Sequence, residues 1–204
     1  MEYEEIIERM SNQKLYYCND KRVLKNQTEY LEFLYDFNHT RPGEQEKRNQ
    51  LLKKMFAEIG ENCYIEPPFH SNWGGKNLHF GNDVYANFNL TVVDDCDIFV
   101  GNAVLFGPNV TVVAGTHPIH PKLRSKQAQY NVPVHIGDNV WIGANSVILP
   151  GVHIGENAVI GAGSVVTKDI PANVVAVGSP CRVLREINDH DMHYYYQDLE
   201  IDIE

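Results

Sequence analysis

Two histidines three residues apart, His117 and His120, stand in the segment Gly115-Thr116-His117-Pro118-Ile119-His120-Pro121. Imidazole takes up and releases a proton near neutral pH, so such a segment suits general acid–base work on a hydroxyl or an amine. A metal reading would join the pair to His135 or His79, because a catalytic zinc needs three convergent protein ligands and an open fourth position. The sequence supplies no compelling third ligand, and no metal is expected. Cys18, Cys63, Cys96 and Cys181 are scattered without a CxxC pair, and no phosphate-binding glycine fingerprint occurs.

The histidine segment interrupts a repeat. Ile136, Ile142, Ile148, Ile154, Ile160 and Val166 recur at every sixth position, four of them followed by glycine. Helices repeat at 3.6 residues and strands at 2, so a sustained step of six points to short strands stacked by repeats, a parallel β-helix. Phe80, Ala86 and Val92 keep the same step, which resumes two residues out of phase at Val100, Phe106 and Val112. From Val112 to Ile136 the distance is a multiple of six, so residues 113–135 can leave the coil as a loop and return in register. A loop this long inside a compact repeat is usually functional. Each turn of three short strands turns one side chain per hexad to the axis, leaving a filled interior; substrates must therefore bind on faces or between subunits.

Residues 1–60 carry apolar positions at helical spacing and predict three helices, broken near Asn19-Asp20 and Arg41-Pro42-Gly43. Residues 61–181 make the entry and the coil, and 182–204 a charged tail or a cap on the solenoid end. With 204 residues and 43% hydrophobic content the chain can bury a real core. Its net charge of -10 excludes wholesale wrapping of nucleic acid or an anionic membrane. No stretch approaches a membrane span. The scattered cysteines, and a start without the basic and apolar parts of a signal peptide, lead us to expect a cytoplasmic protein.

The hexad array, the histidine loop, Tyr85-Ala86-Asn87-Phe88-Asn89, Val140-Trp141-Ile142-Gly143 and the run Gly178 to Arg185 together resemble the hexapeptide acyltransferases. Within them, Tyr35-Asp36-Phe37-Asn38-His39 and Asn62 to Pro68 are similar to the maltose and galactoside O-acetyltransferases, over roughly residues 5 to 197. The resemblance implies a left-handed parallel β-helix, a homotrimer with sites between subunits, and transfer of an acetyl group from acetyl-CoA to a sugar hydroxyl. It makes His117 the general base; His120, without a third metal ligand to join, is read as a supporting or surface residue. Asn72, Asn87 and Asp95 fall at acceptor positions; Cys18 stands where relatives place an acidic or small polar group, with Asp20 as a substitute two residues on. On the donor side it matches Ala144 and Ala162 to backbone contacts with pantetheine, Thr167 and Lys168 to the cofactor's path, and Arg182 and Arg185 to the phosphate end. The Ala144 N–H would also polarise the thioester oxygen. A different acceptor (an amino sugar, serine or an antibiotic hydroxyl) keeps the same chemistry, and a noncatalytic coil serving as a scaffold is the alternative of another class.

Overall fold

A computed structural model describes residues 1–203 of the chain. Three helices come first: α1 (Tyr3–Ser11), α2 (Lys21–Asn38) and α3 (Gln45–Met55). Asp20 starts α2 by accepting a hydrogen bond from the Arg22 N–H at 2.8 Å, an N-cap that satisfies one of the free amides of the first turn. The buried face of α3 presents Leu51, Leu52 and Met55, and Phe37 closes α2. These side chains join Phe56, Phe69 and Phe80 in the main core, so α2 and α3 plug the open end of the coil. A separate cluster of Ile6, Met10, Tyr16, Val23 and Trp73 lies under α1. No helix is long and apolar enough to cross a membrane among the described residues.

From Glu58 the chain winds through three parallel faces. The first face stacks Glu58–Ile59, Leu78–Phe80, Ile98–Val100, Val134–Ile136 and His153–Ile154. The second stacks Tyr64–Ile65, Tyr85–Ala86, Leu105–Phe106, Trp141–Ile142, Val159–Ile160 and Val174–Val177; the third stacks His70–Ser71, Thr91–Val93, Thr111–Val113, Val147–Ile148 and Val165–Val166. Most of the short strands bury one residue, and Leu78–Phe80, Ile98–Val100 and Val134–Ile136 on the first face bury two each. On the second face the buried row runs Ile65, Ala86, Phe106, Ile142, Ile160 and Ala176, all 2% exposed or less. Small Ala86 lies beside Phe106, whose ring stacks 6.1 Å from Phe80, so a large side chain fills the room that a small neighbour leaves. Each such branched or aromatic side chain contributes about 1.5–3 kcal/mol by leaving water.

Corners demand bent backbone, and asparagine supplies it. Asn62, Asp83, Asn139, Asn157 and Asn173 all have φ near +60° between the first and second faces, and amide-to-oxygen bonds of 2.9–3.0 Å join Asn62 to Asp83, Asn139 to Asn157 and Asn157 to Asn173. A second ladder, Asn89, Asn109 and Asn145, turns the corner between the second and third faces at 2.9 and 3.1 Å. Asparagine tolerates the left-handed region because its side chain bonds locally. At the far end Arg182–Glu186 pairs antiparallel with Val174–Val177 and covers that edge of the second face.

Candidate active site

The third corner, where the third face returns to the first, breaks the step of six. Along the first face, Phe80 pairs with Val100 and then Val100 with Ile136, whereas the later pair Ile136 and Ile154 stands one regular turn apart. The extra residues all fall at this corner: three after Ser71 in the first turn, where Asn72 and Trp73 stand, two after Val92 in the second, where Asp94 and Asp95 stand, and the long excursion through 114–133 in the third. Insertion there leaves strand register intact on every face, so polar groups gather at one edge without cost to the core.

Asp95 is 7% exposed and forms the hub. Its Oδ1 accepts from Asn72 Nδ2 at 2.8 Å and from Trp73 Nε1 at 3.0 Å, while its backbone carbonyl accepts from Asn131 Nδ2 at 3.0 Å. Burial pushes the Asp95 carboxyl above the usual carboxylate range, opposed by hydrogen bonds with Trp73, Gln129 and Asn72. Its Oδ2 crowds Gly115 so closely that a Cβ there would collide with it, which accounts for glycine at the loop's root.

The loop is tied down at that root. Gly115–Thr116 pairs antiparallel with Tyr130–Asn131, and Ala128–Gln129 with Tyr16–Tyr17. Asn131 also donates to the Met10 carbonyl at 3.0 Å and accepts from Tyr16 Oη at 3.2 Å, locking α1 to the corner. His117 Nδ1 donates to the Ala128 carbonyl at 2.9 Å, which fixes the tautomer and leaves Nε2 as the free, proton-accepting nitrogen. His120 caps the short helix α4 (Pro121–Arg124) through its Nδ1 and points its ring to solvent.

A pocket of about 380 Å³ lies against His117, Asp95, Asn72, Gln129, Gly115 and Ser71. A second of about 280 Å³ shares Asn72, Asp95 and Gln129 with it and continues to Cys18, Tyr16 and Trp73. Burial raises the Cys18 thiol pKa, and its Sγ approaches the Gln127 carbonyl at 3.4 Å. Asp20 faces elsewhere: its carboxylate binds Arg22 at 2.9 and 3.0 Å, which holds it at about 2.

Other expected site residues lie on other parts of the coil. Asn87 stands at the corner between the second and third faces, in a groove of about 500 Å³ with Tyr85, Trp141, Ala144 and Ala162. Within one chain the structure does not bring it to His117 or Asp95. Gly107, Gly143 and Gly161 stack along this groove, and a Cβ on Gly107 or Gly143 would strike the backbone of Ala144 or Ala162 in the next turn. The N–H groups of Ala144 and Ala162 have no backbone acceptor among the described residues, and both residues line the groove. Thr167 and Lys168 are exposed beyond the last strand of the third face. Arg182 is exposed with Nη1 on the Cys181 carbonyl at 2.6 Å. Arg185 forms a bidentate pair with Asp191 at 2.7 Å for both contacts, which holds the Asp191 carboxyl at about 2. His79 and His135 belong to a stack on the first face with Phe99 between them, and no group of three or more His, Cys, Asp or Glu side chains is placed to hold a metal among the described residues.

Comparison with known proteins places this geometry. The maltose acetyltransferase hexapeptide capping motif matches residues 9–60, and the bacterial transferase hexapeptide (six repeats) matches residues 133–168. The galactoside O-acetyltransferase of Lactococcus lactis is 57% identical over 200 residues, 98% of this chain and 97% of its own length. The chain belongs to the maltose and galactoside O-acetyltransferase family. The Escherichia coli galactoside O-acetyltransferase is 56% identical over 169 residues, 83% of each chain. A galactoside acetyltransferase solved in complex with coenzyme A superposes with a TM-score of 0.93 at 49% identity, covering 97% of this chain and 98% of that one.

Trp73, Gln129, Asn131 and Tyr16 were not among the sequence candidates. One signal did point to their place: the two-residue phase slip between Val92 and Val100 marks the corner that they converge on.

Proposed function

We propose that this acetyltransferase moves the acetyl group of acetyl-CoA to a hydroxyl of a sugar, with His117 as general base. The observation that carries the reading is the His117 tautomer: Nδ1 is committed to the Ala128 carbonyl, and the free Nε2 belongs to a ring that borders the Asp95 pocket. A sugar hydroxyl is a weak nucleophile at neutral pH. Nε2 takes its proton as the oxygen attacks the thioester carbon; the C–S bond then breaks and the imidazolium returns the proton to the departing thiolate. Asp95 and Asn72 offer an acceptor and an amide for hydroxyl pairs on the ring. The backbone amides of Ala144 and Ala162, which have no backbone acceptor among the described residues, suit the pantetheine, and the Ala144 N–H suits the thioester oxygen. Lys168 and Arg182 supply cations for phosphate.

Donor groove and base lie on different corners of one chain, which supports a trimer in which His117 of one subunit faces Asn87 and Ala144 of the next. The exposed stripe of Tyr85, Leu105 and Trp141 along the groove, with Trp141 53% exposed, fits burial by such a neighbour. Four free cysteines fit a reducing cytoplasm.

His117→Ala is expected to lower turnover about a hundred- to ten-thousandfold, the range of a lost general base, while coenzyme A affinity stays unchanged. Thiol release from acetyl-CoA with galactosides, glucosides and maltose measures the rate and profiles the acceptor; light scattering on the same sample is expected to give three chains. Near wild-type turnover at saturating substrates overturns the base assignment.

A further inference from the structure

Asp94 precedes the hub residue Asp95 and has no solvent exposure. Its Oδ1 accepts from Ser71 Oγ at 2.6 Å and from the Trp73 N–H at 2.8 Å, while the backbone carbonyl of Asp94 accepts from Asn77 Nδ2 at 2.7 Å. Ser71 Oγ in turn accepts from the Gly75 N–H at 2.7 Å. One carboxyl oxygen thus pins the residues on both sides of Asn72, and Asn72 and Trp73 are the two residues whose side chains donate to Asp95 Oδ1. The other oxygen, Oδ2, is buried and has no hydrogen-bond partner among the described residues.

An ionised carboxylate with one oxygen buried and unpaired is costly, so what this side chain contributes is its shape and the Oδ1 acceptor that ties Ser71 to Trp73, and not a charge. We propose that Asp94 is a positioning residue for the acceptor pocket, acting through Ser71, Asn72 and Trp73 to hold Asp95 where it meets the substrate's hydroxyls. The proposal rests on reading that pocket as the acceptor site. It requires only the shape and the Oδ1 acceptor of Asp94, since the carboxyl touches no substrate surface. Burial pushes its carboxyl above the usual carboxylate range.

The two adjacent aspartates therefore separate in their needs, one for shape and the other for charge. Asp94→Asn keeps the Oδ1 acceptor, and kcat and acceptor KM are expected to remain within about twofold of the parent. Asp94→Ala frees the Ser71–Trp73 segment; acceptor KM is expected to rise at least tenfold in the trimer that folds, with coenzyme A affinity, read by calorimetry, unchanged. A normal acceptor KM in folded Asp94→Ala protein, whatever its loss of thermal stability, overturns the proposal, as does a large loss in Asp94→Asn. Asp95→Asn is the control for the underlying reading: if it leaves acceptor kinetics intact, the pocket is not the acceptor site. If it impairs them and Asp94→Ala does not, the pocket reading stands and the role of Asp94 falls.

Discussion

Two kinds of corner bend the same coil. Between the first and second faces every turn but one repeats one solution, a left-handed Asn or Asp in amide contact with a neighbouring turn, Ala103 being the exception, and the hexad count never slips. Between the third and first faces the early turns each differ, with extra residues that form no regular ladder and instead gather two carboxylates, an indole, three amides and an imidazole. Repetition gives a corner whose residues serve the fold. Irregularity gives one whose residues are held by the fold and are free for chemistry, as expected where sites are grafted onto a scaffold. Mutations at the first corner and in the buried rows should therefore change stability and leave kinetics alone, and mutations at the irregular corner should do the reverse.

The largest stability effect belongs to the regular stack. Ile148, fully buried on the third face between Val112 and Val166, has no contact with either proposed substrate path. Ile148→Ala removes a branched side chain from an interior that cannot collapse around the gap, at a cost of about 2–5 kcal/mol. A lowered melting temperature with unchanged acceptor KM in the folded fraction is the expected result. Altered sugar discrimination would break the division between the two kinds of corner.

Asp95→Asn tests the other side. The amide oxygen keeps an acceptor for Asn72 and Trp73, so the corner holds, but the charge offered to a substrate hydroxyl is gone. Hydrogen bonds to charged groups are worth about 1.5–3 kcal/mol, so acceptor kcat/KM is expected to fall roughly 10- to 100-fold. Thermal melting should stay near that of the parent. Loss of assembly with normal discrimination would make Asp95 a residue of the fold.

How much of this was legible in the sequence follows the same division. The core rows from Phe80 to Val166 were readable because one side chain per hexad must face the axis, and that constraint writes itself into a single period. Hexad counting also carries the placement of Asn87: one residue past the anchor Ala86 puts it at the second corner, whereas Asp95, three past Val92, lies in the slip at the third. The family resemblance groups them at one acceptor, and the fold of a single chain keeps them apart. Trp73, Gln129 and Asn131 had no periodic signal. They belong to the corner through contacts with Asp95 and Tyr16 made by segments far apart in the chain, and such convergence follows from topology. Asp20 looked available as a carboxylate, but its position one residue before α2 commits it to the cap.

The smallest expected effect is a gain at the regular corner, where Ala103 interrupts the ladder. It occupies the place of Asp83 in the turn below and Asn139 in the turn above, with φ of 54°. For an L-residue with a Cβ the left-handed region costs about 1–2 kcal/mol, a cost asparagine partly avoids by bonding locally. Asn139 Oδ1 receives no side-chain donor from below at present, whereas Asn157 Oδ1 receives one from Asn139 and Asn173 Oδ1 one from Asn157. Ala103→Asn supplies the missing amide donor and relieves the backbone together, so a stabilisation of about 1 kcal/mol is expected, read as a rise of a few degrees in melting temperature. Asn157→Ala should cost a similar amount, since it installs the Ala103 situation one turn above Asn139. Kinetic constants should move in neither variant. If Ala103→Asn melts at or below the parent, the ladder owes its stability to something other than amide pairing at left-handed positions, and the contrast between the corners must be drawn on other grounds.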